Sequence, residues 1–444
     1  MSTISAESAS AQAILDEHSE YLFPSVKPLY EKPVVIKSAQ GVWVADPDGR
    51  EYLDLFAGVL TTSLGHCHPT VVARVQEQIA TLGHTSTLYV TEEQAKAARR
   101  LSELAPGNLR KTFFTSSGTE AVETAIMLAR VYTGRHEIVA LRHGYSGRTA
   151  LANALTAHAP WRPVPSSSSG IVHAVSPYIY RSPLDAGASA QEHEDFFIRD
   201  LEETIDTMTD GKPAAFFAET VQGVGGYIVP PEGYFRRAAA LIRERGGLFI
   251  CDEVQAGFGR LGGKWFGIEH WGVEPDIMVM AKGIANGFPV GATIAQPEIA
   301  DAWTVKTFAT FGGNPICMAA ADATMQVMAE EDTPANSQAR GDQVRKRLDE
   351  LQTRHSWIGD ARGMGLMQAI ELVEDRDSKT PSPQKAKQLL EAARDEGLLL
   401  GQGGLHGHII RIGPSMLITA EEVEEALSRL AKVCARVDSA DAAN

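Results

Sequence analysis

Residues 246–282 read GGLFICDEVQAGFGRLGGKWFGIEHWGVEPDIMVMAK. Two apolar runs stand out, Leu248–Cys251 and Ile277–Met280, each short and uninterrupted, the first entered from Gly246-Gly247 and the second from Pro275-Asp276. Such runs are predicted to be buried strands of a mostly parallel sheet, because a strand covered on both faces has no polar side to alternate with. Asp252 and Glu253 follow the first run directly, and Lys282 follows the second after one alanine. In open α/β sheets, ligands bind beyond the carboxyl ends of the strands. The sequence therefore puts an acid and an amine near the same sheet edge.

That pair suits pyridoxal phosphate. A lysine amine forms a Schiff base with an aldehyde cofactor, and an aspartate keeps a pyridine nitrogen protonated so that the ring takes up electrons. Burial would lower the lysine pKa and favour it as nucleophile and proton shuttle. Taken singly, each residue is equally a charge that flanks a buried strand.

An anion site is predicted upstream. Lys111–Thr115 reads as a short strand, Ser116-Ser117-Gly118-Thr119 as a turn, and EAVETAIMLARVYTG as a helix with Val122, Ala125, Ile126 and Ala129 on one face. Free N–H groups at a helix start point outward and the helix dipole favours negative charge. Gly118 lets the backbone approach closely. The tetrapeptide alone is also a plain N-cap.

CDEVQAGFGRLG, IMVMAKGIANGFPVGA and TFGGNP resemble the class III pyridoxal-phosphate aminotransferases. Within them the chain is most similar to the alanine–glyoxylate aminotransferase 2 and ω-amino acid:pyruvate group, over about Lys32 to Leu430. The resemblance implies an α/β type I pyridoxal-phosphate transferase fold. It would have a large domain with a mixed, mostly parallel seven-stranded sheet and a small α+β domain built from both chain ends. The expected division is 1–65, an N-terminal segment of the small domain; 66–328, the cofactor domain; and 329–444, the rest of the small domain. The resemblance also assigns roles. Lys282 and Asp252 are catalytic. Ser117, Gly118 and Thr119 cradle the phosphate. Tyr145 and Val254 cover the two ring faces, and Gln255 reaches the ring hydroxyl. Thr310 reaches the phosphate of a neighbouring subunit. Arg411 binds the substrate carboxylate, Glu219 pairs with Arg411, and Val59 and Leu60 shape the substrate pocket. Taken alone, Tyr145 reads as core or rim, Thr310 as a turn residue, and Arg411, between isoleucines, as a residue that could face solvent by alternation. Ser146 stands where many relatives have His, which removes one possible ring contact.

Composition narrows the rest. A chain of 444 residues is long enough for more than one domain, and 44% hydrophobic with 22% charged residues is ordinary for a soluble protein. A net charge of -15 argues against nonspecific binding to nucleic acid or anionic membrane. Cys67, Cys251, Cys317 and Cys434 show neither disulfide nor metal spacing and fit a reducing compartment. No run approaches transmembrane length. The first twenty residues carry acids, no Arg and no secretory apolar core, so neither a signal nor a transit peptide is expected and the location is read as cytoplasmic. Residues 1–20 are predicted to be mobile, with one short helix around Ala11–His18.

Asp48-Gly49 between apolar segments predicts a hairpin, which the resemblance places beside the active site. In Leu64–Pro69, LGHCHP, two histidines flank a cysteine, but no second pair lies nearby, so a loop into a helix over Thr70–Leu82 is expected rather than a metal site. Gly223, Gly225 and Gly226 fail the dinucleotide fingerprint, as does GQGGLHG at 401–407. Thr156 to Glu194, which includes WRPVPSSSSG, reads as a long irregular loop. Strands are predicted at Ile138–Leu141, from Pro213 to Glu219, and at Ala292–Ala295, Gly365–Glu371 and Ile409–Ile412. Helices are predicted at Thr91–Ala105, Phe196–Thr207, Tyr234–Arg245, Ile316–Ala329 and Ala339–Leu351. The expected reaction moves an amino group from an ω-amino acid, alanine or an amine to pyruvate or glyoxylate, in a homodimer or homotetramer with shared active sites. A phospho-lyase, an aminomutase, a racemase or a decarboxylase of the same family is the alternative, and a non-catalytic scaffold would leave Asp252, Lys282 and the phosphate loop without a purpose.

Overall fold

The computed structural model describes residues 10–165, 170–185 and 187–442. Residues 1–9 of the stretch expected to be mobile, and 166–169 of the serine run, lie outside them. At the centre is a seven-stranded sheet in the order Lys111–Thr115, Gly291–Ala295, Ile277–Met280, Leu248–Asp252, Ala215–Glu219, Ile138–Leu141, Ile171–Ala174. Gly291–Ala295 runs antiparallel to both neighbours and the rest run one way. All five residues of Leu248–Asp252 are buried. Phe249 and Cys251 enter one apolar cluster while Leu248 and Ile250 enter another on the opposite face, which is why the run carries no polar alternation.

Two smaller sheets complete the fold. Ser38–Gln40, Trp43–Ala45 and Glu51–Asp54 form antiparallel pairs, and Leu398–Leu399 adds in parallel, with Leu53 opposite Leu398. The turn at Asp46–Gly49 closes as the Asp-Gly signal predicts, with Gly49 at φ 83°. The other sheet, in the order Ile358–Met364, Met367–Leu372, Ile409–Ile412, Gly401–Gly403, is antiparallel throughout. Val42, Leu53 and Leu55 share a core with Leu348, Ile370, Ile410 and Leu430, so the two ends of the chain fold together.

Four expectations change. The helix expected at Ala339 begins at Thr333, where Asp332 accepts the Ala335 amide as its cap. The loop expected over 156–194 contains the edge strand Ile171–Ala174. The helix expected at Phe196 begins at Ala190, where Ser189 and Glu192 form a capping box. The strand expected from Gly365 begins at Met367, because Gly363 at φ 135° and Gly365 at φ 48° turn a hairpin back to Ile358–Met364. Among the described residues, no helix is long and apolar enough to cross a membrane.

Candidate active site

Asp252 and Glu219 end adjacent parallel strands as register partners, so their carboxylates project to the same side. Both are buried. Burial pushes both carboxyls upward. For Glu219 the nearby Asp252 adds to this, while the Gly223 and Tyr145 amides pull the other way. Asp252 Oδ1 accepts the Val254 amide at 2.9 Å. Lys282 follows Ile277–Met280 through Ala281 and opens a short turn at φ 47°, a strained value for a residue with a side chain. Burial lowers its pKa and the charge of Arg411 adds to this, against the pull of Asp252 and Glu219. Among the described residues its amine makes no ion pair or hydrogen bond.

These groups line a pocket of about 260 Å³, joined by Gly118, Thr119, Tyr145, Val254 and Gln255. Gly118 is at its floor: a Cβ there would lie 3.2 Å from the Ala281 Cβ. Ser117 caps the helix Gly118–Thr133, its Oγ accepting the Glu120 amide at 3.2 Å, so its hydroxyl is already engaged. The Gly118 and Thr119 end of that helix faces the pocket. The Gln255 Oε1 is buried with no partner, and a Cβ at Gly223 would come within 2.0 Å of its Nε2. Tyr145 is braced edge-on by Trp161, with ring centroids 5.8 Å apart. An anion cradle at one end, a carboxylate with one oxygen uncommitted, an unpartnered amide oxygen and a free amine fit pyridoxal phosphate.

Arg411, Val59, Leu60 and Thr310 do not line this pocket. Arg411 is buried, so the strand Ile409–Ile412 has no solvent face and the alternation argument fails there. It donates to the carbonyls of Gln402 at 2.9 Å and Gly223 at 3.2 Å, and its guanidinium rests 4.7 Å from the Phe56 ring centroid. Glu219 accepts the Tyr145 amide at 3.0 Å and the Gly223 amide at 2.8 Å. The expected direct pair between Glu219 and Arg411 is therefore not formed. Both instead bind the Gly223 peptide, Glu219 through its amide and Arg411 through its carbonyl. Leu60 is buried, Val59 is half-exposed, and Thr310 lies on an exposed stretch. His66 of LGHCHP pairs with Asp54, Nε2 to Oδ2 at 2.9 Å, and His68 precedes the helix Pro69–Thr81. Sequence reading passed over Arg148, which lines the pocket beside Thr119. A second cation in the loop RHGYSGRT, which follows the strand Ile138–Leu141, was the available signal.

The class-III aminotransferase family model matches residues 26–434. A curated relative, alanine–glyoxylate aminotransferase 2 homolog 2, mitochondrial, of Arabidopsis thaliana, is 40% identical over 94% of this chain and 86% of its own. The human alanine–glyoxylate aminotransferase 2, mitochondrial, is 36% identical over 93% of this chain and 84% of its own. Among solved structures, a thermostable (S)-enantioselective omega-transaminase from Thermomicrobium roseum superposes with a TM-score of 0.89 at 32% identity, covering 97% of this chain and 100% of that one. The chain belongs to the class-III aminotransferases, which are pyridoxal-phosphate-dependent enzymes.

Proposed function

We propose that the protein moves an amino group from an ω-amino acid, alanine or another amine to pyruvate or glyoxylate. The observation that carries this is the convergence of Lys282, Asp252 and the Gly118–Thr119 helix end on one pocket, with Arg411 buried one peptide behind it. When bound, pyridoxal phosphate supplies an aldehyde that links to amines and a ring that takes up the electron pair released at the donor carbon. The chain's own residues do the rest. The Lys282 amine, its pKa lowered by burial, would carry the proton from the donor carbon to the cofactor's aldehyde carbon. The Asp252 carboxylate holds a proton at the ring nitrogen. The Gly118 and Thr119 amides, with the Thr119 hydroxyl, bind the phosphate, and Ser117 fixes that helix end. Tyr145 and Val254 would hold the ring, and the unpartnered Gln255 Oε1 would accept from its hydroxyl. Arg411 orients the keto-acid carboxylate, and Glu219 balances its charge when the donor has none to offer. Val59 and Leu60 bound the substrate space.

The active enzyme in this reading is a homodimer or a homotetramer, with Thr310 closing the phosphate site of a second copy. Leu88, Tyr89, Val90, Phe308 and Phe311 are exposed, the last two flanking Thr310. Apolar surface of this kind calls for a covering partner. The division at 65/66 and 328/329 goes with this assembly. A cytoplasmic setting is supported by four unpaired cysteines. Nitrogen-15-labelled β-alanine incubated with pyruvate tests the reaction. Labelled alanine by mass spectrometry is expected. Phosphate release from ethanolamine phosphate without any keto acid, and no labelled alanine, would mark a phospho-lyase instead.

A further inference from the structure

Residues 57–60 form a left-handed turn. Ala57, Gly58, Val59 and Leu60 have φ of 50°, 58°, 65° and 60°, and the amides of Leu60 and Thr61 close onto the carbonyls of Phe56 and Ala57 at 2.9 and 2.7 Å. Three of the four carry side chains and one is β-branched. Left-handed turns of this kind are unfavourable for L-residues and persist only where the surroundings over-determine them. What holds this one is Asp54. Its buried Oδ1 accepts the amides of both Phe56 and Ala57 at 2.9 Å, and its Oδ2 meets His66 Nε2 at 2.9 Å.

The turn touches both halves of the chemistry. The Leu60 carbonyl faces Gly283, beside Lys282, and Leu60 Cδ1 lies 2.9 Å from where a Gly413 Cβ would be, just past Arg411. Phe56 links this clasp to the guanidinium: its backbone amide donates to Asp54 Oδ1 and its ring lies against Arg411. Its ring sits on Gly401, where a Cβ would come within 2.2 Å, and it supports Arg411 at 4.7 Å. A guanidinium over an aromatic face is attracted to it and is fixed in plane and height by it.

We propose that Asp54 is a positioning residue for acceptor selection: by clasping the Phe56 and Ala57 amides it sets the Phe56 ring, and the ring sets where Arg411 meets a substrate carboxylate. This rests on the reading of Arg411 as the carboxylate site. The strained turn is then the means by which one backbone segment registers the carboxylate site against the catalytic lysine.

The test compares holoenzymes carrying Asp54→Ala, Asp54→Asn, Phe56→Leu and Arg411→Ala, with pyruvate and with butanal, an acceptor lacking a carboxylate. Asp54→Ala should raise the KM for pyruvate about tenfold or more with kcat changed by no more than about threefold, and raise the KM for butanal by no more than about threefold. Amide hydrogen exchange at 56–60 should speed up in the same variant. Asp54→Asn keeps an oxygen for both amides and should restore slow exchange and most of the pyruvate KM. Phe56→Leu should reproduce the KM effect with slow exchange retained, and it decides the matter if Asp54→Ala does not fold. If Arg411→Ala fails to discriminate pyruvate from butanal, the reading of Arg411 falls. If Arg411→Ala discriminates but Asp54→Ala and Phe56→Leu do not, the positioning role alone is overturned. Equal losses of kcat for both acceptors in Asp54→Ala would also overturn it, leaving Asp54 as support for the Lys282 turn.

Discussion

Lys282 has a left-handed backbone, a lowered pKa and no partner among the described residues, all of which keep its amine available. Lys282→Ala should abolish turnover while the unfolding transition stays close to that of wild type, since the amine contributes no ion pair. Borohydride reduction of the wild type should fix the cofactor to the peptide containing Lys282, and a label on another lysine would refute the assignment. Glu219 and Arg411 give a second prediction. Arg411→Ala should damage the keto-acid half-reaction far more than the amine half-reaction. Glu219→Gln should do the reverse, since it leaves a buried cation uncompensated. Single-turnover rates for both halves check this, and equal losses would reduce the two to a structural pair. Asp252 and Lys282 were legible because each follows an apolar run, and position at a strand end is written in the sequence. The indirect link of Glu219 to Arg411 was not, because the Gly223 amide that intervenes belongs to backbone and has no side chain to read.

The strands of the large sheet were legible for the same reason they are stable. Ile277–Met280 and Leu248–Asp252 are buried on both faces, so composition alone marks them. Ile171–Ala174 was not, since it is a four-residue edge strand in which only Ala174 is fully buried. The left-handed turn at 57–60 was equally hidden, because a single glycine in AGVL does not announce left-handed Ala57, Val59 and Leu60, whose conformation is imposed by Asp54 from outside. The helix Gly118–Thr133 meets the pocket through a glycine whose added Cβ would press on Ala281. Gly118→Ala should therefore cost about 1 kcal/mol of stability through overpacking and push the helix end off the phosphate. Cofactor retention through dialysis should fall measurably, and full retention would show that the helix end does not hold the phosphate.

Across the whole molecule, Glu371 ties the two parts together. It lies in the small sheet strand Met367–Leu372 and is fully buried. It receives Arg181 Nε at 2.5 Å and Tyr178 from the segment that follows the large sheet's edge strand, and Arg362 Nη1 at 2.8 Å and His408 at 3.2 Å from its own side. Burial alone would push this carboxyl up, but the His408 hydrogen bond and the charges of Arg362 and Arg181 outweigh it and hold it well below the usual range. A depressed carboxyl stabilises fully above its unfolded value, about 4.3, and loses that contribution as pH falls through that value toward the folded one. Glu371→Gln should cost about 3–5 kcal/mol near neutral pH, and its urea midpoint should fall less steeply on acidification than that of wild type. Parallel pH slopes would contradict the assignment. No sequence pattern announced this residue, because its partners lie on three separate segments. The shared core of the two chain ends was likewise legible only through the family resemblance. The central claim is that one pocket completes two half-reactions, and the cofactor's absorbance tests it most directly. Adding β-alanine alone should remove the resting absorbance of the lysine-bound cofactor, and adding pyruvate should then restore it. Loss without return, or no change with any amine, would contradict the account.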